Sequence, residues 1–371
     1  MKAIMTPPKL FPTKLTTLLC LCIISFVAAC NPLSPPPSPT MSTPPTPTPE
    51  IFPTPLSFGE PIEAFEQAEQ LGRGVNFANA LEAPNEGEWG LTLEERYFDL
   101  AKAGGFATIR LPIRWSAHAE AQAPYTIDEA FFQRIDWAIA NATRRGLNIV
   151  VNIHHYEEFM SNPEEHRARF VAIWTQIAER YQNQPATVLF ELCNEPNSMS
   201  ASRWNPIAQE ALAAVRTTNP TRNVIIGGAD WNSIAGLMDL KLPEDDRHLI
   251  ATFHYYLPFE FTHQGAEWVA GSEAWLGREW KGNGSEKASI SYNLDRVTQW
   301  SQDNQRPVWL GEFGAYSKAD MDSRARWTSY LARDAEKHKI SWAYWEFGAG
   351  FGVYDLAQNA WNQPLLEALV P

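Results

Sequence analysis

Eight short β-rich runs alternate with amphipathic helical runs over about 300 residues, which predicts an α/β protein of the (β/α)8 TIM-barrel class, a single catalytic-sized domain. Two further observations support this class. The runs start apolar and end in polar or aromatic residues, the asymmetry of a barrel with a site at one mouth. The composition is also globular from about residue 60 onward, with no second low-complexity segment and no repeat at solenoid spacing.

Taken in order, the expected strands are 71–79 (LGRGVNFAN), 107–115 (ATIRLPIRW), 148–156 (NIVVNIHHY) and 187–195 (TVLFELCNE). They continue with 223–231 (NVIIGGADW), 248–256 (HLIATFHYY), 307–314 (PVWLGEFG) and 340–347 (ISWAYWEF). Each is rich in β-branched and aromatic residues and is bounded by turn formers. Between them, Ile127, Ala130, Phe131, Ile135 and Ile139 repeat at helical spacing and predict a helix over 127–145. Phe170, Ile173, Trp174, Ile177 and Tyr181 do so for 163–181. Gly104-Gly105, Arg145-Gly146 and Asn219-Pro220 punctuate the pattern, the last ending the fourth helix, and a short helix over 363–369 closes the chain.

Ahead of this domain the chain has a different character. Lys2, Lys9 and Lys14 precede the apolar run 15–29 (LTTLLCLCIISFVAA), which is too short to span a bilayer comfortably and fits an export signal. It ends Val27-Ala28-Ala29-Cys30, which resembles the bacterial lipobox, so Cys30 is expected to become the lipid-modified N-terminus. Residues 31–55 are nearly half proline with much Ser and Thr, the composition of an extended, semi-rigid stalk. The expected divisions are therefore a signal peptide over 1–29, a lipidated Cys and linker over 30–57, and the barrel over 58–371. An exported protein on the bacterial cell envelope, lipid-anchored or released if the anchor is not used, is the expected setting.

The formal charge is −13, and removal of the three leader lysines takes it to −16. So acidic a chain is a poor partner for nucleic acid or an anionic lipid surface and suits a neutral substrate. A monomer touching the membrane through its lipid alone is the expected state. Beyond the leader only Cys193 remains, which excludes an intrachain disulfide framework in the domain; Cys193 is expected to be a small buried hydrophobe.

The polar strand ends carry the functional signal. Strand two offers Arg110, and strand three ends His154-His155-Tyr156. Strand four reads LFELCNEPN over 189–197 and holds Glu191, Asn194 and Glu195. Strand six carries His254 and Tyr256, strand seven Glu312, and strand eight Trp345-Glu346. Strands four and seven lie across a barrel mouth from each other, so Glu195 and Glu312 are natural opposites. Two carboxyl groups flanking a bond are what glycoside hydrolysis needs: one protonates the leaving oxygen and the other attacks the anomeric carbon. Arg110 would hold the charge of the attacking carboxylate, Tyr256 would orient it, and His254 would bond to one of the pair. Asn194 is placed for a sugar 2-hydroxyl. Glu191, deeper in the strand, is expected to bond a buried polar partner. A metal site is not expected, because the first strand has no histidine of the kind barrel metallohydrolases use.

In combination and order, Arg110, His154, Asn194-Glu195-Pro196, His254-x-Tyr256, Glu312 and Trp345 resemble the pattern of glycoside hydrolase family 5, the cellulase family of retaining barrel glycosidases, over about 70–350. Residues 73–90 (RGVNFANALEAPNEGEWG) also look like that family's first strand and loop. The resemblance implies Glu195 as acid/base and Glu312 as nucleophile. It implies Arg110, His154, Asn194, His254 and Tyr256 as supports, and Trp345 as the floor beneath the reacting sugar. Asn152 stands two residues before His154, where the family usually has Asp. Asn79, Trp89, His155, Trp231, His263 and Trp268 are further candidates for sugar contact, and 254–268 (HYYLPFEFTHQGAEW) is expected to line the groove. The implied activity is a retaining endo-β-1,4-glucanase acting on β-glucan or a related plant-type polysaccharide without a cofactor. A β-mannanase, a xyloglucanase or a β-1,3-glucanase would share the same pair. A non-catalytic carbohydrate-binding surface protein is the competing class, disfavoured because both glutamates and all their supports are present.

Overall fold

Strands β1 (Arg73–Asn76), β2 (Thr108–Leu111), β3 (Asn148–Asn152), β4 (Val188–Glu191), β5 (Val224–Gly227), β6 (Leu249–Tyr255), β7 (Val308–Phe313) and β8 (Ser341–Tyr344) pair in parallel in sequence order, and β8 returns to β1 to close the barrel. The computed structural model describes residues 61–371. The expected signal peptide, Cys30, the linker and the domain's first residues at 58–60 lie outside the described residues. Every barrel strand falls inside its expected window, and a small antiparallel pair, Tyr354–Asp355 with Ala360–Trp361, was not expected. The windows run past the ladders because their last residues form the loops at the barrel mouth.

Helix α1 (Ala64–Leu71) precedes β1; α2 (Glu95–Ala103) and α3 (Glu129–Thr143) follow β1 and β2. After β3 come α4 (Glu157–Ser161) and α5 (Pro163–Tyr181); α6 (Ala201–Arg216) and α7 (Ile234–Met238) follow β4 and β5. Next are α8 (Phe259–Thr262) and α9 (Gly284–Asn304) after β6, α10 (Met321–Lys337) after β7 and α11 (Gln363–Leu369) at the end. The helix expected over 163–181 has those bounds, with Pro163 at its first turn, where a missing N–H costs nothing. That expected over 127–145 is capped by Asp128, whose side chain accepts from Ala130 N at 2.9 Å. Helix α1 was not anticipated; its eight residues give too short a periodic signal. Among the described residues no helix is long and apolar enough to cross a membrane.

Period-two alternation sorts the strand residues between two environments. Ile149, Val151, Val188, Phe190, Val224, Ile226, Phe253, Val308, Leu310, Trp342 and Tyr344 face outward into the main core under the helices. Val150, Leu189, Ile225, Ile250, Trp309 and Ala343 face inward and meet Ala64, Ala68 and Leu71 of α1, which floors the barrel. Two residues further along five of the strands the interior turns polar: Asn76, Arg110, Asn152, Glu191 and Thr252 are all fully buried. Apolar floor, polar middle and open mouth thus stack in that order.

Candidate active site

The polar middle layer is organised by Arg110. Its Nε and Nη2 donate to the two oxygens of Glu191, at 2.6 and 2.7 Å, the bidentate geometry that fits a guanidinium to a carboxylate. Its Nη1 donates to Asn76 Oδ1 at 2.9 Å and to Glu312 Oε1 at 2.5 Å, and Nη2 also donates to Asn194 Oδ1 at 2.8 Å. All five donors of the guanidinium are therefore used. Burial works against its charge, but Glu191 and Glu312 more than offset that and raise its pKa. Glu191 is the strand residue with the unnamed buried partner; the partner is Arg110. The Arg110 expected beside the nucleophile is there, and it is a structural ion-pair former as well.

The remaining supports converge on the two carboxyl groups. Tyr256 donates its hydroxyl to Glu312 Oε2 at 2.8 Å, so each oxygen of Glu312 has a donor. His254 Nδ1 lies 2.7 Å from Glu195 Oε1 and 3.6 Å from Glu312 Oε2. One donor atom from each of Glu195, His254 and Glu312 lies within 4.8 Å of the other two. Such a trio could meet a cation. Here Arg110 and Tyr256 already donate to both oxygens of Glu312, and His254 meets Glu195, so each group of the trio has a protein partner.

The two glutamates differ in environment. Burial pushes the Glu195 carboxyl up to about 7; Arg110 opposes this and Glu191 adds to it. Burial also raises Glu312, but His254, Arg110 and the Tyr256 hydroxyl act against it. The Glu195 side chain is 21% exposed at the mouth and that of Glu312 5%. Burial lowers His254 to about 4, so it is neutral around pH 7. Burial raises both carboxyl groups, and Glu312 differs in that Arg110 and Tyr256 donate directly to its two oxygens in favour of the anion.

Aromatic rings extend from this centre. Trp345 stacks on His154 with centroids 5.4 Å apart and planes 9° from parallel. His154 meets His155 edge-on at 4.7 Å, and His155 meets Trp89 at 5.5 Å. Asn152 Nδ2 donates to His154 Nδ1 at 3.2 Å, which places the imidazole proton on Nε2. Burial holds both histidines neutral, His155 near 4 and His154 well below its ordinary value. On the far side His263 packs edge-on to Tyr256 at 5.0 Å, and Trp268 lies 6.5 Å from His263. The segment 254–268 thus brings His263 and Trp268 around Tyr256. Trp231 stands at the end of β5, more than half exposed, its N–H donating to Pro196 O at 3.2 Å. Asn79 bonds through its N–H to Glu82 and does not join the carboxylate network.

Several participants were not singled out from sequence. Asn76 donates to Gly311 O at 3.1 Å while accepting from Arg110, so it ties β1 to both β2 and β7. As a neutral amide it gave no signal of its own in RGVN. Asn232, fully buried, gave no signal in GGADWN. Glu346 was read among the polar groups of the mouth, but it turns inward. It accepts from Gly348, Ala349 and Phe351 N–H groups at 2.8–3.1 Å and so fastens the loop after β8. Burial pushes it to about 7. Cys193 is buried in the core, as expected of a small hydrophobe.

The chain is similar to several known proteins. Endoglucanase H of Acetivibrio thermocellus is 37% identical over 303 residues, covering 81% of this chain and 32% of its own length, so the chain spans about a third of that relative. The crystal structure of endoglucanase Cel5A from Thermotoga maritima is 50% identical with a TM-score of 0.82, covering 83% of this chain and all of that one; it has also been solved with cellobiose and with mannotriose. A hyperthermophilic endo-beta-1,4-glucanase in complex with substrate is 42% identical, again with a TM-score of 0.82, over 83% of this chain and 99% of that one. The family model for Cellulase (glycosyl hydrolase family 5) matches residues 70–350, the span from β1 to the loop that Glu346 fastens, and the chain belongs to that family.

Proposed function

We propose that the chain is a retaining endo-β-1,4-glucanase. The observation that carries the mechanism is the close approach of the two carboxyl groups: an oxygen of Glu195 and one of Glu312 lie within 4.8 Å of each other, which suits direct attack by one carboxylate in a retaining mechanism. In the first step the Glu312 carboxylate bonds to the anomeric carbon as the bond to the leaving oxygen breaks, and the Glu195 proton passes to that oxygen. In the second step the Glu195 carboxylate takes a proton from water, the water oxygen bonds to the anomeric carbon, and Glu312 leaves as the carboxylate. Arg110 and Tyr256 keep Glu312 anionic and aimed. Because Asn194 Oδ1 is committed to Arg110, its amide NH2 is left for the sugar 2-hydroxyl. Trp345, held flat by His154, is the platform for the reacting sugar.

Asn79, His155 and His263, with the exposed tryptophans Trp89, Trp231 and Trp268 on separate loops of the same mouth, are proposed to extend that platform along a polymer. The linkage rests on the endoglucanases to which the chain is similar. The Cel5A complex with mannotriose makes β-1,4-mannan the comparison to run beside it. Assay of the exported domain on cellulose derivative, mixed-linkage glucan, xyloglucan, mannan, xylan and laminarin tests the reading. The expected result is endo-cleavage of β-1,4-glucan with retained anomeric configuration. Glu195→Gln and Glu312→Gln should each lower kcat by about 100- to 10,000-fold on natural substrate. A variant with wild-type activity removes that residue from its role, and strong inhibition by a chelator would bring metal chemistry back. We also propose lipid attachment at Cys30 on the cell envelope; Cys30→Ser should move the protein from the membrane to the soluble fraction.

A further inference from the structure

The loop leaving β5 has an unfavourable backbone. Asp230, Trp231 and Asn232 are consecutive residues with φ of 64°, 60° and 49°, the left-handed region that non-glycine residues seldom occupy and in which a bulky tryptophan is an outlier. Glu195 is left-handed too, with φ of 44°. Neither conformation stands alone, because the two loops hold each other. With its amide oriented to satisfy both neighbours, Asn232 donates from its NH2 to Gly228 O at 2.9 Å and accepts from the Glu195 N–H at 3.2 Å. The carbonyl of Asn232 accepts from the His254 N–H at 2.8 Å, and Trp231 N–H reaches Pro196 O. Room for the amide comes from Gly227, where a Cβ would lie only 2.1 Å from it.

One buried side chain therefore grips the backbone of Glu195, while its main chain grips the backbone of His254. His254 Nδ1 in turn sits 2.7 Å from the Glu195 carboxyl. The other imidazole nitrogen, Nε2, is buried without a partner, so the proton belongs on Nδ1 and points at Glu195 Oε1. That leaves Glu195 Oε2 as the oxygen that carries and delivers the catalytic proton. We propose that Asn232 is a positioning residue for the acid/base: it closes the Asn232–Glu195–His254 ring that keeps Glu195 Oε2 aimed at the leaving oxygen. Asn232 has no contact with the nucleophile and is not itself a proton donor.

The proposal rests on Glu195 being the acid/base, and the experiment separates the two. Measure kcat/KM for Asn232→Gly and Asn232→Ala on aryl β-glycosides of whichever sugar the wild type cleaves, with phenol and dinitrophenol as leaving groups. Dinitrophenol departs without a proton and phenol does not. The glycine variant keeps the left-handed backbone and loses only the amide. It should lose about 10- to 100-fold with phenol and less than about 3-fold with dinitrophenol, with KM nearly unchanged. Asn232→Ala should show the same selectivity; if it does not fold, the glycine variant decides. Equal losses with both leaving groups, or wild-type rates with both, overturn the proposal. Glu195→Gln supplies the reference. Selectivity in Glu195→Gln without selectivity in Asn232→Gly overturns the role of Asn232 alone. Its absence in Glu195→Gln overturns the acid assignment and the proposal together.

Discussion

Glu195 must hold a proton at the pH where Glu312 has lost its own. The groups facing Glu195 are Glu191 on its own strand run, Arg110 from β2, His254 from β6 and Glu312 from β7. Burial with Glu191 outweighs Arg110 and places Glu195 at about 7. The protonated acid is thus fully present below 7 and lost as pH rises through it. Glu312 works in the opposite sense, since its nucleophilic form is lost as pH falls through its own raised value. The profile of kcat/KM should be bell-shaped with an alkaline limb near pH 7, and Glu195→Gln should remove that limb while leaving the acid one. His254, held near 4, is neutral on both sides of pH 7 and cannot supply the alkaline limb. A limb that survives in Glu195→Gln would point to a different acid. At this scale the sequence was legible wherever a titratable residue stood at a strand end. It was less so where a neutral amide works through geometry: Asn76 and Asn232 carry no charge and stand in no motif, and only the folded chain brings them to Arg110 and Glu195.

The barrel strands do more than present side chains at even spacing. Between β6 and β7 the register jumps, so that Phe253 opposes Leu310 but His254 opposes Glu312, and Gly311 is the extra residue. A Cβ at Gly311 would meet Thr252 Oγ1 at 2.9 Å and His254 Nε2 at 3.1 Å, which leaves space only for hydrogen. The bulge thus seats the imidazole against the β7 backbone and turns the next residue, Glu312, toward the mouth. Gly311→Ala should cost about 1–3 kcal/mol of stability through overpacking. It should also lower kcat about 10- to 100-fold by displacing His254 and Glu312 from their shared geometry. Thermal unfolding beside steady-state kinetics checks this, and a variant unchanged in both would remove the bulge from the account. The strands were legible as elements because parallel barrel strands are buried on both faces and read as dense β-branched and aromatic runs. The bulge was not, because GEFG reads the same with or without it. Nor was α1, whose role depends on a floor that exists only once eight strands have closed.

Across the whole molecule, stability and chemistry sit at opposite ends of the barrel, and α1 provides a way to separate them. Its Ala64, Ala68 and Leu71 cover the inward-facing Val150, Leu189, Ile225, Ile250, Trp309 and Ala343. Its C-terminal carbonyls also serve buried donors: Thr108 Oγ1 donates to Leu71 O at 2.5 Å and Asn148 Nδ2 to Gln70 O at 2.9 Å. A chain beginning at Gly72 would leave that apolar floor open and take these acceptors from Thr108 and Asn148, whereas one beginning at Pro61 keeps the described domain whole. Loss of one leucine, two alanines and two hydrogen bonds amounts to about 3–6 kcal/mol. That is a large share of the roughly 5–15 kcal/mol by which a domain is stable. The chain starting at Gly72 should therefore unfold about 5–10 °C below the chain starting at Pro61. No hydrogen bond among the described residues links α1 to Arg110, Glu191, Glu195, His254 or Glu312, so at temperatures where both are folded their kcat values should agree within about 2-fold. A fall in kcat without a fall in melting temperature would show that the floor supports the polar layer directly and that the two ends of the barrel are coupled.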